Sequence, residues 1–216
     1  MQLVKSTGKK GEKSRQTRGR ILRAAYELFV DQGYGATTLQ GVAERAGVAV
    51  QTIYFAFGNK PSLLKELVDV TIAGDDEPVP TMQRDWFREA LAADTAEAHL
   101  AAHVRGTCGV LARVAPIMDV LHAAGAQDPS LASLWQQDTD PRHDVQTAAA
   151  RGLLAKPGAK ADLTVEHAAD VLYGLLSPQL YLLFIRDRGW APESWERWAY
   201  ETLHAQLCRQ RQRPGG

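Results

Sequence analysis

Leu39 to Phe57 reads LQGVAERAGVAVQTIYFAF, and the spacing within this stretch sets the architecture of the chain. Leu39, Val42, Ala43 and Ala46 recur at helical steps and stop at Gly47, and a second short helix follows at once through Ile53, Tyr54 and Phe57. Three residues separate Ala43 from Gly47, and five separate Gly47 from Ile53. A small residue at 43 lets two helices cross closely, glycine at 47 supplies a left-handed turn, and Val48 and Ile53 fill the wedge between the helices. That is the pattern of a helix-turn-helix, which lays its second helix in the DNA major groove.

On the upstream side, Ile21, Leu22, Ala25, Leu28 and Phe29 form one face of a preceding helix that Gly33 ends. Downstream, a fourth helix begins at Pro61 and carries Leu63, Leu64, Leu67 and Val68 as its buried stripe. Near the N-terminus, Lys5, Lys9, Lys10, Lys13, Arg15, Arg18 and Arg20 predict a basic arm that is disordered without DNA, and that follows phosphates, enters the minor groove or simply adds nonspecific affinity. Asp75 to Pro80 is acidic, carries two prolines and marks a boundary. The expected organisation is a basic arm over residues 1–14, a DNA-binding domain over 15–74 and a second domain over 81–212.

Beyond the boundary the pattern stays helical, and the expected class is all-α. Helices are predicted over 86–92, 95–115, 116–124, 129–154 with Pro141 kinking or splitting it, 165–186 and 192–211. No sustained apolar-polar alternation signals a strand. The chain has 216 residues and zero formal net charge, but the charge is unevenly placed. Up to Lys60 there are ten basic and four acidic side chains; fifteen and twenty-one remain in the rest, a basic head on an acidic body. Such a head suits an anionic partner.

The run from Arg20 to Leu67, RILRAAYELFVDQGYGATTLQGVAERAGVAVQTIYFAFGNKPSLLKEL, resembles the DNA-binding domain of the tetracycline-repressor (TetR) family. The resemblance rests on Ile21, Leu22, Ala24, Ala25, Leu28, Phe29, Gly33, Tyr34, Thr37, Thr38, Ala43, Ala46, Gly47, Val48, Thr52, Tyr54, Phe57, Lys60, Leu63 and Leu64. It implies that Thr38 caps the first motif helix and touches a phosphate. It implies too that Thr52 and Tyr54 meet the backbone and that Lys60 grips a phosphate; Arg18 and Thr37 are placed with them. Base reading falls to Val50, Gln51 and Phe55: Gln51 suits adenine, and the two apolar side chains suit thymine methyls. Three positions depart from the family pattern. Ala49 stands where a capping Ser is common, at a cost of about 1 kcal/mol. Gly41 replaces a usual acidic residue inside a helix, at a similar cost of about 1 kcal/mol. Ala56 stands where an aromatic is frequent.

The resemblance also implies a body that binds a small hydrophobic or aromatic effector and forms a homodimer on a palindromic operator in double-stranded DNA. Candidate effector contacts are Trp86, His103, Thr107, Cys108, Leu111, Met118, Leu121, His122, Trp135, Tyr173 and Tyr181. Ser177 to Leu203 looks like a family pairing element, and Leu180, Leu183, Phe184, Trp195, Trp198 and Leu203 give more apolar surface than one helical hairpin can hide.

No catalytic motif is found, and the Gly8 to Ser14 stretch lacks phosphate-loop spacing, so the expectation is no enzyme and no cofactor. His99 and His103 lie one helical turn apart, but without a cysteine cluster no metal site is expected. Cys108 and Cys208 make no disulfide framework. Val171 to Ile185 is interrupted by Ser177, Pro178 and Gln179, no apolar run is expected to span a membrane, and no secretory signal opens the chain, so a cytoplasmic protein is expected. The leading expectation is a ligand-released repressor; an architectural or ligand-independent DNA-binding protein, or an activator, remains the alternative.

Overall fold

The computed structural model describes residues 6–74, 79–127, 131 and 140–209, and those residues are helical with turns between. In chain order the helices are α1 (Ser6–Ala36), α2 (Leu39–Ala46), α3 (Val50–Phe57), α4 (Lys60–Ala73), α5 (Asp85–Ala92), α6 (Ala96–Gln127), α7 (Pro141–Leu154), α8 (Val165–Leu175), α9 (Pro178–Leu182) and α10 (Pro192–Leu207). A short 3-10 turn, Thr81–Gln83, precedes α5, and a π-turn, Leu183–Asp187, follows α9. The all-α class is as the periodicity predicts.

Contacts divide the described residues into two units. One lies within Met1–Thr71 and Ile117–Gln136, the other within Ile72–Pro116 and Gln137–Gly216. In the first, α1 turns Ile21, Leu22, Ala25 and Phe29 inward against Val42, Ala43 and Ala46 of α2, Ile53 and Phe57 of α3, and Leu63, Leu64 and Leu67 of α4. Ile117 and Leu121 of α6 complete that core. In the second, Phe87, Leu100, Val104, Leu111, Leu153, Leu172, Tyr181, Trp195 and Leu203 meet in a separate core. Residues 158–160 zip onto the end of α10: Lys160 N–H donates to Leu207 O at 3.0 Å and Arg209 N–H to Gly158 O at 2.8 Å.

Several element boundaries differ from the sequence reading. α1 continues upstream through residues 6–14, the stretch assigned to a disordered arm, so no break in the backbone marks residue 14. Residues 1–5 of that arm and most of the acidic boundary, 75–78, lie outside the described residues. Gly33 interrupts α1 with φ 83° and ψ 167°, a conformation open to a residue without Cβ. The helices expected over 95–115 and 116–124 are one, α6, with Pro116 inside it. Pro141 opens α7 in its first turn, with the Asp140 carboxylate accepting from the Arg142 and His143 N–H groups, so of the kink or split expected there a helix start is found. The stretch 165–186 is instead broken after Leu175, where Ser177 caps α9 by accepting from the Leu180 N–H at 3.3 Å. The reasons are local: a capping side chain followed by proline starts a new helix, whereas an internal proline removes one hydrogen bond and tertiary packing holds the rest.

Two helical stretches, Ala96–Gly125 and Val165–Asp187, are long and apolar enough to cross a membrane by length and composition, which corrects the expectation that no run qualifies. Part of each stretch is committed to a core: Leu100, Val104 and Leu111 of the first, and Ala168, Ala169 and Leu172 of the second, are buried.

Candidate nucleic-acid interface

The turn between α2 and α3 is built as its spacing requires. Gly47 takes φ 64° and ψ 44°, and the Val48 N–H closes on Ala43 O at 3.0 Å. Ala43 and Ile53 are fully packed, so the two helices are held by core contacts and not by the turn alone. Thr38 caps α2, its hydroxyl accepting from the Gly41 N–H at 3.0 Å. Ala49 gives α3 no side-chain cap; the Thr52 N–H donates to Ala49 O at 2.9 Å, and the N–H groups before it in the first turn find no side-chain acceptor at position 49.

With Ile53 and Phe57 turned inward, α3 presents Gln51, Tyr54 and Phe55 to solvent. Tyr54 is 55% exposed and Phe55 95%, while Val50 and Thr52 are half-buried. A phenyl ring left almost wholly in water on a helix whose opposite face is in the core lacks any packing role within the chain. It can reach a base edge or methyl group; Gln51 and Tyr54 can reach base and phosphate.

Three residues expected to touch DNA are committed within the head instead. Thr37 is fully buried, and its hydroxyl donates to Gly33 O at 2.8 Å, with Leu28 O at 3.1 Å as a second acceptor, closing the interrupted end of α1. A buried, internally bonded hydroxyl has no access to a phosphate, so Thr37 is a structural residue. The Lys60 ammonium donates to Tyr34 O and Thr37 O, both at 2.8 Å, and lies 4.1 Å from the Tyr34 ring centroid. It thereby gathers carbonyls at the end of α1 and start of α2. Arg18 pairs with Glu66, donates to Ala56 O at 3.3 Å and sits 4.6 Å from the Phe57 ring centroid, so it ties α1 to α3 and α4. Glu66 and Phe57, which sequence reading gave no part in the site, orient that arginine; nothing in local spacing signals a partner 48 positions away.

The effector candidates divide between the units. Met118 and Leu121 pack in the head core and His122 is exposed, which removes them from a cavity in the body. Trp135 lies outside the described residues. Tyr173 belongs to a surface network, its hydroxyl donating to Asp140 Oδ2 at 2.7 Å and its ring 3.2 Å from the Arg142 guanidinium carbon. The remaining candidates, Trp86, His103, Thr107, Cys108, Leu111 and Tyr181, share the body core. Burial pushes the Cys108 thiol up to about 11, with Glu196 and Glu193 adding to the shift, so it is neutral at physiological pH. His103 Nε2 meets Gln146 Oε1 at 2.9 Å, a partner that sequence reading missed. Burial lowers both buried histidines, taking His99 to about 4 and holding His103 below its ordinary value. Among the described residues no three His, Cys, Asp or Glu side chains are grouped to hold a metal ion.

Of the predicted pairing residues, Trp195 and Leu203 are fully buried in the body's own core, because α10 turns that face toward α8 and α9. Leu183 is 45% exposed, and Phe184 and Trp198 stand half-buried with Trp190 in an aromatic cluster, Phe184 lying 4.5 Å from Trp190 and 4.7 Å from Trp198 between ring centroids. A surface depression of about 520 Å³ is lined by Trp190, Trp198, Arg197 and neighbours on this side of α10. Leu180 is half-buried.

Comparison with known proteins agrees with this geometry. Residues 21–67 match the family model for bacterial regulatory proteins of the tetR family. An uncharacterized HTH-type transcriptional regulator of Bacillus subtilis (strain 168), YdeS, is 30% identical over 172 residues, spanning 76% of this chain and 77% of that protein. Among solved structures, a regulator from Saccharomonospora viridis in complex with choline superposes with a TM-score of 0.68 at 16% identity, covering 91% of this chain and all of that one. A SmeT–triclosan complex does so with a TM-score of 0.68 at 19% identity, over 91% and 93% of the two chains. At such identities these structures speak for the fold, whereas the similarity to YdeS runs through head and body alike. The chain belongs to the tetR family of bacterial helix-turn-helix transcriptional regulators.

Proposed function

We propose that this regulator is a repressor that binds a palindromic operator as a homodimer and is released by a small hydrophobic or aromatic effector. The observation that carries the reading is the outward face of α3, where Gln51, Tyr54 and the almost fully exposed Phe55 are presented to solvent. Thr38 and Thr52 join them as phosphate contacts, Val50 flanks the base-reading set, and Arg18 and Lys60 hold the frame. The basic residues upstream of 15 add phosphate contacts, and the region beyond the acidic boundary at 75–80 carries effector binding and pairing.

Pairing through Leu180, Leu183, Phe184 and Trp198 is supported by the exposure of Leu183 and the partial exposure of the other three. Two copies related by a two-fold axis then place two α3 helices in successive major grooves. That structural neighbours were solved in complex with choline and with triclosan supports a small-molecule ligand. For release, the effector binds more tightly to a dimer geometry whose α3 helices no longer match the groove spacing. A protein acting on bacterial DNA works in the cytoplasm.

The test is selection of bound sequences from a random DNA library with purified protein at near-physiological salt. A two-fold palindrome with half-site centres about one helical turn apart is expected. Recovery of unrelated sequences by folded protein would overturn operator reading and favour an architectural role.

A further inference from the structure

From Val48 to Asn59 the sequence reads VAVQTIYFAFGN, so α3 and its flanks carry no charged side chain. The nearest charges on either side, Arg45 and Lys60, are engaged within the head. Arg45 Nε lies 3.3 Å from Glu27 Oε2, and the Lys60 ammonium donates to Tyr34 O and Thr37 O. The commonest sequence-specific contact in a major groove is an arginine or lysine bidentate to guanine O6 and N7, and this helix has neither. What it turns outward is one amide, Gln51, one phenol, Tyr54, and one phenyl ring, Phe55, which is 95% exposed. The least polar of the three is thus the one set furthest into solvent.

The major-groove edges of the four bases present donors, acceptors and a single apolar group, the C5-methyl of thymine. A phenyl ring bonds to no donor or acceptor, so it cannot choose among them. Against a base edge it gains by burying apolar surface and loses by stripping water from a polar atom left unpaired. The methyl is therefore the feature by which Phe55 tells one base pair from another. Gln51 stands four residues earlier on the same side of α3, about 6 Å along the axis at 1.5 Å per residue. That exceeds the rise of about 3.4 Å between stacked pairs, so the amide and the ring address different base pairs. A C5-methyl is not unique to thymine. 5-Methylcytosine carries the same group at the same ring position and differs beside it, with an N4 donor in place of the O4 acceptor, a difference that a phenyl ring does not register.

We propose that Phe55 reads the C5-methyl group of a pyrimidine in the major groove, so that 5-methylcytosine satisfies it as thymine does and unmethylated cytosine does not. Cytosine methylation within a site then changes the affinity of this protein for it. The inference rests on the operator reading above and specifies the group that is read.

The experiment uses the full chain and synthetic duplexes of the operator recovered by selection, with affinity read by fluorescence anisotropy. Each thymine is replaced in turn by uracil, which removes the methyl and leaves every donor and acceptor in place, at matching positions of both half-sites. At one thymine per half-site the replacement is expected to lower affinity about fourfold, and about fifteenfold with both half-sites changed, from the burial of one methyl against the ring. Phe55→Ala is expected to bind the thymine and uracil duplexes alike. At the same position a cytosine–guanine pair is then compared with and without the C5-methyl, which holds the purine constant. The methylated duplex is expected to bind wild-type protein about fifteenfold more tightly than the unmethylated one, with no difference in Phe55→Ala. An operator with no uracil-sensitive position would overturn the proposal. So would a uracil effect that persists in Phe55→Ala, which would move the methyl contact to Val50 or to the shape of the DNA, or a methylated cytosine that binds no better than the unmethylated one. Each of these leaves the operator reading standing, whereas recovery of unrelated sequences in the selection would overturn both.

Discussion

Lys60 shows how one side chain changes meaning between sequence and structure. Its place beside the helix-turn-helix suits a phosphate contact, but its ammonium is held by Tyr34 O and Thr37 O, and these bonds join α4 to the end of α1. Lys60→Met is expected to destabilise the head by about 2 kcal/mol as its charge-assisted hydrogen bonds disappear. Denaturant titration checks this figure, and the salt dependence of DNA binding discriminates the roles. Replacing a positioning lysine leaves the log-log salt slope unchanged, whereas replacing a lysine seated on a phosphate would reduce it by about 1. Thr37 and Thr38 make the same point. They are adjacent and chemically identical, yet one hydroxyl is sealed at the end of α1 and the other caps α2 in solvent. Spacing could not separate them, because the difference is made by a glycine-interrupted helix end folding back over one of the pair.

Among the elements, α3 is a short helix of eight residues with Ala49 at its uncapped start. Ala49→Ser is expected to raise stability by about 1 kcal/mol, measured by thermal unfolding, because the serine oxygen would accept one of the open N–H groups. An unchanged melting temperature would mean that this end is already satisfied. The outward side of the same helix gives the opposite pattern. Phe55→Ala is expected to move stability by no more than about 0.5 kcal/mol, since the ring buries almost nothing in the chain, and to weaken operator binding. A large drop in stability with intact DNA binding would place Phe55 in packing instead. The buried stripes of α1 to α4 were legible from periodicity, because every turn of a helix repeats the same geometric demand. The two sides of α10 were not: Trp195 and Trp198 look alike in sequence, and only the packing of α8 and α9 makes the first core and the second surface.

Across the molecule, electrostatics and proton linkage set the conditions under which it works. If each head neutralises about four phosphates, the log-log salt slope of a dimer on its operator is expected near −7, at about −0.9 per contact. Measured affinity across a range of salt checks it, and a slope near zero would remove the electrostatic basis of binding. Acid should destabilise the body as pH falls below 6.5. His99 is held at about 4 by burial, with His103 and Lys156 adding to the shift, and His103 is itself lowered by burial. Between pH 6.5 and about 4 the unfolded chain binds protons that the native one refuses, so stability rises with pH across this window and is lost on acidification. The melting temperature is expected to fall as pH drops from 6.5 toward 4, and less so in His99→Phe. The helical class, the helix-turn-helix and its family followed from the order of residues alone, because local spacing and a glycine in the turn dictate them before any distant contact forms. Folding in three dimensions was needed to settle which cations face inward, that Ile117 and Leu121 belong to the head core, and that polar atoms on α6 are buried without partners. Those outcomes depend on which distant elements cover a given face, and a one-dimensional pattern does not encode that.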